Sequence, residues 1–317
     1  MRVFVTGGAG FIGSTLVDRL LERGDEVTVY DNFSTGRREF LESARQRPNF
    51  RLAEGDILDL SRVQDALRGH DFVFHFAANA DVRFGTQHPR RDLEQNTLGT
   101  FNVLEAMRAA GARRIAFTST GSVYGEPEVI PTPEHAPFPV QTSLYGASKL
   151  AGEGLIEAYV SGFGFQAWIF RLVSCLGERY THGHVFDFYT KLSSDPSAIE
   201  VLGDGRQRKS YLYVQDCIDA MLLAVERGQA PLNLFNLGRD DYCTVDDSLG
   251  WICEHLKLSP ERRYRGGPRG WIGDSPFILL DASRARALGW APRVGIRDGV
   301  IRTLEFLQAN PWALVRA

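Results

Sequence analysis

The N-terminal half of the chain alternates short apolar runs with segments whose apolar residues recur at helical spacing. Arg2–Thr6 is rich in valine and phenylalanine and stops at a glycine cluster, as a buried strand does. Phe11–Arg23 has the apolar spacing of a helix and ends before Gly24. Further strands are predicted at Glu26–Tyr30, Phe50–Ala53, Asp71–Phe76 and Arg114–Ser119, and helices at Leu60–Leu67 and Arg91–Ala110. This alternation predicts an α/β fold, a doubly wound parallel sheet with helices on both faces.

The pattern changes after about residue 170. Short strands are predicted at Tyr211–Val214 and Leu232–Leu237, and helices at Val214–Arg227, Val245–Leu256 and Ile296–Ala309. Thr244 is placed to cap the second of these helices, and Tyr264–Pro276, rich in glycine and arginine, predicts an ordered loop. We therefore predict a first domain over residues 1–170 and a smaller C-terminal substrate-binding lobe over 171–317, from which segments can return to the first sheet.

Composition and charge narrow the class of protein. Of the 317 residues, 44% are hydrophobic and 24% are charged, the balance of an ordinary globular protein. The net charge of −3 gives no field for nucleic acid or an anionic membrane, and no apolar run approaches the ~18–20 residues of a membrane helix. The four cysteines, Cys175, Cys217, Cys243 and Cys253, lack CxxC spacing. They predict reduced thiols in a cytoplasmic protein that binds no metal.

A glycine-rich turn follows the first strand, with glycines at Gly7, Gly10 and Gly13. Without side chains there, backbone N–H groups at a helix N-terminus can approach a pyrophosphate. The second strand ends near Asp31, 18 residues beyond the last of these glycines, where a carboxylate can accept both ribose hydroxyls. This pattern predicts dinucleotide binding and favours NAD over NADP, although the nearby Arg37 and Arg38 leave NADP open.

A tyrosine and a lysine form a second candidate site. The chain has four lysines against thirty-two arginines, and one of them, Lys149, stands four residues after Tyr145. On a helix capped by Thr142 or Ser143, this spacing puts both side chains on one face. An ammonium near a phenol stabilises the phenolate, so we expect the pKa of Tyr145 to fall from ~10 toward neutrality and to yield a base.

These motifs, with Asp56-Ile57, Phe76-Ala77-Ala78, Asn96 and Ser119–Gly125, together resemble an extended short-chain dehydrogenase/reductase of the nucleotide-sugar epimerase and dehydratase group. The resemblance implies a Rossmann domain that holds NAD tightly and a lobe that holds a nucleoside-diphosphate sugar. The cofactor-binding residues it implies are Gly7, Gly10, Phe11, Ile12, Gly13, Asp31, Asn32, Asp56, Ile57, Phe76, Ala77, Ala78, Asn96, Tyr145 and Lys149. Where many epimerases of the group have a further cofactor-binding lysine, this chain has Ala80.

The residues after the fifth strand bear on the reaction. By resemblance, Thr120 is the catalytic hydroxyl that bonds the sugar O4 beside Tyr145, with Lys149 as the third catalytic residue. The group's 4,6-dehydratases have Asp-Glu after this threonine and its decarboxylases have glutamate at the position of Ser122, whereas this chain has Gly121-Ser122. The resemblance therefore implies a UDP-sugar 4-epimerase that inverts C4 through a transient 4-keto sugar. A nucleotide-sugar dehydratase, a 4-keto reductase and a non-catalytic NAD sensor stay open as alternatives.

The substrate side is less sharply defined. The substrate-binding residues implied by the resemblance are Thr120, Ser122, Ser174, Arg179, Arg208, Lys209 and Arg269, with Ser174 where the group has asparagine. Arg179, His182 and His184, with Arg83 as a further candidate, suggest a C6 carboxylate and hence UDP-glucuronate and UDP-galacturonate. Arg179 serving the diphosphate, and a UDP-glucose/UDP-galactose enzyme, are the alternative. The resemblance also implies a homodimer that pairs through the tyrosine-bearing helix and its neighbour.

Overall fold

The computed structural model of the protein describes residues 1–79, 84–138 and 140–315. Its strands are β1 (Arg2–Thr6), β2 (Glu26–Asp31), β3 (Phe50–Glu54), β4 (Phe72–His75), β5 (Arg114–Thr120), β6 (Gln166–Leu172), β7 (Ser174–Leu176), β8 (Ala198–Val201), β9 (Arg208–Lys209), β10 (Tyr211–Tyr213), β11 (Leu232–Leu237), β12 (Cys243–Thr244), β13 (Glu261–Tyr264) and β14 (Phe277–Ile278). Its helices are α1 (Phe11–Glu22), α2 (Glu42–Arg45), α3 (Leu60–Leu67), α4 (Pro89–Asp92), α5 (Gly99–Ala110), α6 (Leu144–Phe163), α7 (His184–Ser194), α8 (Val214–Arg227), α9 (Val245–Leu256), α10 (Ser283–Ala287) and α11 (Ile296–Ala309). Short 3-10 turns occupy Arg38–Leu41, Phe84–Thr86, Gly121–Tyr124 and Pro311–Leu314, and a π-helical turn occupies Leu93–Leu98.

The main sheet has seven parallel strands in the order β11-β6-β5-β4-β1-β2-β3. Strand β1 lies between β2 and β4, so that Val3 is opposite Val27 on one side and Phe72 on the other. Because the chain order reverses between β1 and β4, their carboxyl ends border the crevice where open α/β sheets bind ligands. The predicted doubly wound Rossmann-type sheet is confirmed.

Helices cover both faces of this sheet because successive strand residues point to opposite sides. Val3 and Val5 belong to the apolar cluster that includes α1 and α8, while Phe4 and Val73 belong to the cluster that includes α3, α5 and α6. These side chains are all buried. The strands are therefore apolar on both faces, which explains why they read as continuous hydrophobic runs in the sequence.

The segment predicted as a single helix, Arg91–Ala110, is divided in the structure. Helix α4 leads into the π-helical turn, and α5 begins only at Gly99. A Cβ at Gly99 would lie 2.4 Å from Ile57 Cδ1, so this glycine lets α5 approach the neighbouring loop. The π turn brings the Asn96 amide to α6, where its Nδ2 donates to Ser148 Oγ at 2.9 Å. Such turns occur frequently at functional sites.

Residues beyond 170 contribute both to the main sheet and to the small sheets outside it. Strand β11 pairs with β6 and forms an edge of the main sheet, with Leu232 opposite Ala167. The other strands of this region form small sheets, β10-β7, β12-β9-β14 and β13-β8. Thr244 caps α9 as predicted, in a capping box with Asp247. Within the described ranges, no helix has the length and apolar character needed to cross a membrane.

Candidate active site

The turn after β1 brings a helix N-terminus to the crevice. Gly7 has φ +69°, and a Cβ there would lie 2.6 Å from the Ala77 backbone nitrogen. A Cβ at Gly13 would lie 2.1 Å from the Gly7 carbonyl oxygen, so α1 can pack on the turn only with glycine at that position. Gly10 is the N-cap of α1 and offers no side-chain acceptor to the first-turn N–H groups that start at Phe11. These groups fit an anion such as a diphosphate.

The carboxylates predicted to meet the adenosine half of the cofactor are held in place. Asp31 ends β2, and its two carboxylate oxygens accept from the backbone N–H groups of Ala9 (2.9 Å) and Phe33 (2.8 Å). Burial raises the pKa of Asp31, and these two hydrogen bonds oppose that rise. Asn32 Nδ2 donates to Asp56 Oδ2 at 2.9 Å. Asp31 is thus fixed at the carboxyl end of β2, beside the glycine turn, and Asp56 is held next to it just beyond the end of β3.

The two arginines that left NADP open are bound to other parts of the chain. Arg38 Nη2 donates to Glu54 Oε2 at 2.7 Å, and its guanidinium lies 4.0 Å from the centroid of the Phe33 ring. Arg37 donates to the carbonyl oxygen of Val315. With both cations engaged and a buried carboxylate at the end of β2, the site favours NAD over NADP.

The segment that follows β4 faces the glycine turn. Two backbone N–H groups of Phe76–Ala78 donate to Thr6 Oγ1, each at 3.2 Å. Asn96 Oδ1 accepts from the backbone N–H of Asn79 at 2.8 Å. The structure therefore brings the predicted residues Phe76–Ala78 and Asn96 together with the turn. Ala80 lies outside the described residues.

The predicted catalytic hydroxyls meet at the carboxyl end of β5. Thr120 is the last residue of β5, and its Oγ1 accepts from the Ser122 N–H at 3.1 Å and donates to Ser122 Oγ at 3.2 Å. The Thr120 hydroxyl also lies near the Tyr145 phenol and favours its ionised form. Tyr145 lies in the first turn of α6, which Ser143 caps by accepting from the Gly146 N–H at 3.0 Å. One substrate hydroxyl can therefore contact both Thr120 and Tyr145.

Lys149 is buried beneath these hydroxyls, with 2% of its surface exposed. Its Nζ donates to the Thr118 carbonyl oxygen at 2.8 Å and lies 4.7 Å from the centroid of the Phe117 ring. Burial lowers the pKa of Lys149 to about 7, while the charges of Glu153 and Asp92 act to raise it. The side chain is therefore fixed to β5 at a place where its charge depends on its neighbours.

The pKa of Tyr145 differs from the sequence expectation. Burial raises the pKa of Tyr145 to about 12, and the neighbouring Thr120 hydroxyl offsets only part of this rise. Lys149 donates to the Thr118 carbonyl oxygen and leaves the phenol without a direct ammonium contact in this arrangement. The prediction that Lys149 lowers the pKa of Tyr145 toward neutrality is wrong for the chain alone. A further positive charge close to the phenol is needed.

Sequence reasoning missed three buried polar side chains behind the site: His75, Glu153 and Arg171. The His75 ring nitrogens lie 2.8 Å and 2.9 Å from the hydroxyls of Thr6 and Thr100, and burial lowers its pKa to about 3. This neutral histidine joins β1, β4 and α5. Glu153 and Arg171 form an ion pair of 2.6 Å between α6 and β6. The sequence does contain one indication of the role of Glu153, which is its position four residues after Lys149.

A small cavity of about 50 Å³ opens beside Thr120. It is lined by Thr120, Gly121, Ser122, Leu172, Val173, Ser174, Lys209, Ser210 and Ile278. Four of the predicted substrate-binding residues, Thr120, Ser122, Ser174 and Lys209, therefore share one surface. Ser174 is exposed, whereas Lys209 Nζ donates to the buried Asp274 Oδ1 at 2.6 Å.

Two further predicted substrate residues are exposed and do not line this cavity. The Arg208 guanidinium lies 3.8 Å from the centroid of the Phe277 ring. Arg269 pairs with Glu126 Oε1 at 2.5 Å and also donates to the Asp274 carbonyl oxygen at 2.7 Å. Arg269 thereby ties the glycine-rich loop before β14 to the turn that follows Thr120.

The structure does not bring Arg179 to the cavity. Its Nη2 donates to Asp18 Oδ2 on α1 at 2.5 Å. The adjacent Tyr180 packs edge-on against the ring of Phe11, with centroids 5.6 Å apart, and His182 stacks on Tyr180. The loop after β7 therefore lies along α1, and its arginine joins the loop to that helix.

The other residues of the predicted carboxylate site are also placed elsewhere or not described. His184 Nε2 lies 2.7 Å from Ser248 Oγ, and the ring lies 4.6 Å from that of Tyr211. Burial lowers the pKa of His184 to about 3, so it brings no positive charge. Arg83 lies outside the described residues. Among residues 1–79, 84–138 and 140–315, no group of three His, Cys, Asp or Glu side chains is arranged to hold a metal ion.

The fold and these side chains define an NAD-dependent enzyme, and comparison with known proteins identifies its family. Residues 3–238 match the NAD dependent epimerase/dehydratase family. The UDP-glucose 4-epimerase of Mycolicibacterium smegmatis is 34% identical over 318 residues, which cover 97% of this chain and 99% of the relative. A solved structure of a UDP-galactose 4-epimerase is 41% identical, with a TM-score of 0.88 and coverage of 98% and 100%.

A second solved structure, MoeE5 in complex with UDP-glucuronic acid and NAD, is 28% identical, with a TM-score of 0.85 and coverage of 98% and 100%. The chain belongs to the NAD dependent epimerase/dehydratase family. This confirms the family that the motifs indicated, and its cofactor is NAD. The uncapped N-terminus of α1 and the fixed carboxylate of Asp31 fit the diphosphate and a ribose of that cofactor.

Proposed function

We propose that this protein is a UDP-sugar 4-epimerase that oxidises C4 and reduces it again on the opposite face. The observation that carries the proposal is the arrangement of Thr120 and Tyr145. Thr120 lines the cavity and lies near the Tyr145 phenol, and the buried Lys149 is on the same helix as the tyrosine. This arrangement provides a base and an orienting hydroxyl for one sugar oxygen, which is what alcohol oxidation requires.

Three side chains of the protein have separate roles in this reaction. When bound, NAD would supply the hydride acceptor and donor for C4, with a positive charge on its oxidised ring. Tyr145 removes the proton from the sugar O4 and later gives it back. Thr120 holds O4 against the phenol, and Lys149 supplies a fixed charge nearby. Because one base serves both faces of C4, the sugar has to turn about its link to the diphosphate between the two halves of the reaction.

The turn after Thr120 argues against elimination of water. A Cβ at Gly121 would lie 3.3 Å from Ile278 Cγ2 and 3.4 Å from Leu280 Cδ1. A carboxylate at that position would therefore enter an apolar contact, at a high cost in desolvation. Ser122, the next residue, offers a hydroxyl that is bonded to Thr120. This turn supplies no acid and base for chemistry at C5 and C6, which favours epimerisation over dehydration.

For the sugar itself, the side chains favour the neutral pair UDP-glucose and UDP-galactose. The cavity presents the hydroxyls of Thr120, Ser122 and Ser174. Its cation, Lys209, is already paired with Asp274. Arg179, which the sequence assigned to a C6 carboxylate, is paired with Asp18. A C6 hydroxymethyl group is satisfied by hydroxyls, whereas a buried carboxylate needs a cation.

The interconversion of UDP-glucuronate and UDP-galacturonate is the second candidate. It is supported by the likeness to MoeE5, whose structure holds UDP-glucuronic acid. In this chain, the sequence offers Arg83 as the remaining cation for the carboxylate.

Exposed apolar side chains support a homodimer. Leu98 and Phe101, on the π turn and α5, are 45% and 40% exposed, and Leu144 on α6 is 47% exposed. We place the dimer interface on this face, where two copies can pair α5 with α6. The four cysteines are free and buried, which supports a cytoplasmic location.

A panel of UDP-sugars tests the proposed function. The purified protein, without added NAD, is incubated with UDP-glucose and separately with UDP-glucuronate, and products are followed by NMR and mass spectrometry. The proposal predicts C4 epimers of unchanged mass and a higher kcat/KM for UDP-glucose. Faster turnover of UDP-glucuronate selects the second candidate, and a product lacking the mass of water identifies a dehydratase.

A further inference from the structure

The buried ion pair behind Lys149 is held by several hydrogen bonds. Arg171 and Glu153 are 2% and 1% exposed. Arg171 Nε donates to Glu153 Oε1 at 3.0 Å, and Nη2 donates to Oε2 at 2.6 Å. The Ser119 hydroxyl donates to the same carboxylate. A bidentate pair of this kind fixes the direction of the carboxylate.

This carboxylate is placed relative to Lys149 by two independent elements. Glu153 follows Lys149 by one turn of α6, so both side chains leave the same helix face. On β5, Lys149 bonds to the Thr118 carbonyl oxygen while the next residue, Ser119, bonds to Glu153. The ammonium and the carboxylate are therefore held against adjacent residues of one strand, in a region that excludes water.

The far side of Arg171 is fixed by the rest of the fold. Its Nη1 donates to the Tyr124 hydroxyl at 2.7 Å and to the Glu134 carbonyl oxygen at 3.0 Å. Tyr124 in turn donates to Asn236 Oδ1 at 2.9 Å on β11. Arg171 is therefore held on two sides, by Glu153 and by Tyr124 and Glu134, and it fixes the position of the Glu153 carboxylate.

We propose that Glu153 is a positioning residue: fixed by Arg171 and Ser119, its carboxylate keeps the buried Lys149 charged beside Tyr145. The proposal rests on the proposed function, since a charged Lys149 assists an ionised Tyr145. Breaking such a pair at one partner leaves the other charge uncompensated, so the two halves of the pair act on Lys149 with opposite signs. If Glu153 only filled space, its substitution would leave the charge of Lys149 unchanged.

Among the described residues, the charged and titratable groups that act on Lys149 include Tyr145 and Glu153 on α6, Asp92 on α4, the neutral His75 on β4, and, through Glu153, Arg171 on β6 and Glu157 on α6. Asp92 and Glu153 both raise the pKa of Lys149 against the effect of burial. The charge of Glu153 can be changed by substitution either alone or together with that of its partner Arg171.

The test uses the small number of lysines. With only four lysines in the chain, protein labelled with ¹³C-lysine gives a spectrum in which Lys149 is assigned by its loss in Lys149→Met. The pKa of Lys149 is then read directly, without any requirement for activity. Glu153→Gln should lower it by about one unit or more, and Arg171→Met should raise it. Glu153→Asp, which keeps the charge, should restore a value close to that of the wild type.

A double variant protects the test against a failure to fold. Glu153→Gln/Arg171→Met removes both charges together and leaves no uncompensated ion in the interior. It should lower the pKa of Lys149 by less than Glu153→Gln does, and the alkaline limb of the kcat–pH profile should move down by the same amount. An unchanged Lys149 pKa in Glu153→Gln, or an equal Lys149 pKa in Arg171→Met and the double variant, would overturn the proposal, because each comparison removes the charge of Glu153 alone. If Lys149 shifts as predicted in a protein that epimerises no UDP-sugar, the proposed function fails and this assignment stands.

Discussion

Arg179 and Asp18 form an ion pair of 2.5 Å that joins the loop after β7 to helix α1, across 161 residues of sequence. Both side chains are partly buried, with 21% and 24% of their surfaces exposed. Tyr180, the next residue, packs on Phe11 at the start of the same helix. The loop therefore lies along α1, the helix whose N-terminus we propose as the binding site for the cofactor diphosphate.

This pair leads to a prediction about substrate preference. Arg179→Ala should lower kcat/KM by about two- to fivefold, and by the same factor for UDP-glucose and UDP-glucuronate, because the lost contact lies between protein elements. Asp18→Asn serves as the matched variant, since it removes the same pair and keeps the arginine. Steady-state kinetics on both sugars measures the effect. A loss confined to UDP-glucuronate would mean that Arg179 binds the C6 carboxylate after all.

Removal of the phenol should abolish the chemistry and leave the fold intact. Tyr145→Phe is expected to reduce kcat by at least ~100-fold, because the proton of O4 then has no acceptor. Thr120→Val should be less damaging, since it removes an orienting hydrogen bond and keeps the base. Thermal unfolding and bound-NAD content provide the structural controls. Turnover close to that of the wild type in Tyr145→Phe would refute the assigned base.

The buried histidines should make the protein sensitive to acid. His75 and His184 have pKa values of about 3 in the folded protein, below the ~6.5 of an unfolded histidine. The unfolded chain therefore binds protons first, and the free energy of unfolding should fall as the pH falls from about 6.5 toward 3. The slope is at most about 1.4 kcal/mol per pH unit for each residue.

Urea unfolding between pH 7 and pH 4 measures this slope. His75→Gln should reduce the slope relative to the wild type, even if it also lowers stability at pH 7. The same substitution at the exposed His135 is the matched control. Parallel curves for wild type and His75→Gln would show that His75 does not couple stability to pH.

The exposed apolar face of α5 predicts the oligomeric state. Phe101→Glu should convert a dimer into a monomer, because it places a charge in an interface that buries apolar surface. Val129→Glu alters a side chain that is 58% exposed elsewhere and should leave the dimer intact. Light scattering after size-exclusion chromatography distinguishes the two states. A monomeric wild type, or a dimeric Phe101→Glu, would contradict the interface.

The features that the sequence predicted well are those set by local chemistry. The strand Arg2–Thr6 and the helix Val245–Leu256 begin and end as expected, because a glycine turn and a capping threonine fix their ends. The glycine turn and Asp31 could be placed for the same reason, since their roles follow from a strand, a turn and a helix in sequence. Such features can be predicted because they depend on residues that are close together in the sequence.

The features that sequence reasoning missed depend on distant partners. Nothing near Arg179 in the sequence identifies Asp18 as its partner, and nothing near Arg171 identifies Glu153. The predicted pKa of Tyr145 was wrong for a related reason. The spacing of Tyr145 and Lys149 shows that they share a helix face, but only the packing shows that burial dominates and that Lys149 bonds to Thr118.

The central claim is that C4 of a UDP-sugar loses a hydride and receives the same hydride back in one active site. UDP-glucose carrying deuterium at C4 tests it most directly, with the protein used as purified and no NAD added. The account predicts UDP-galactose that keeps its deuterium at C4 and has the same mass as the substrate, as read by NMR and mass spectrometry. Replacement of that deuterium by solvent hydrogen, or a product that has lost water, would contradict the account.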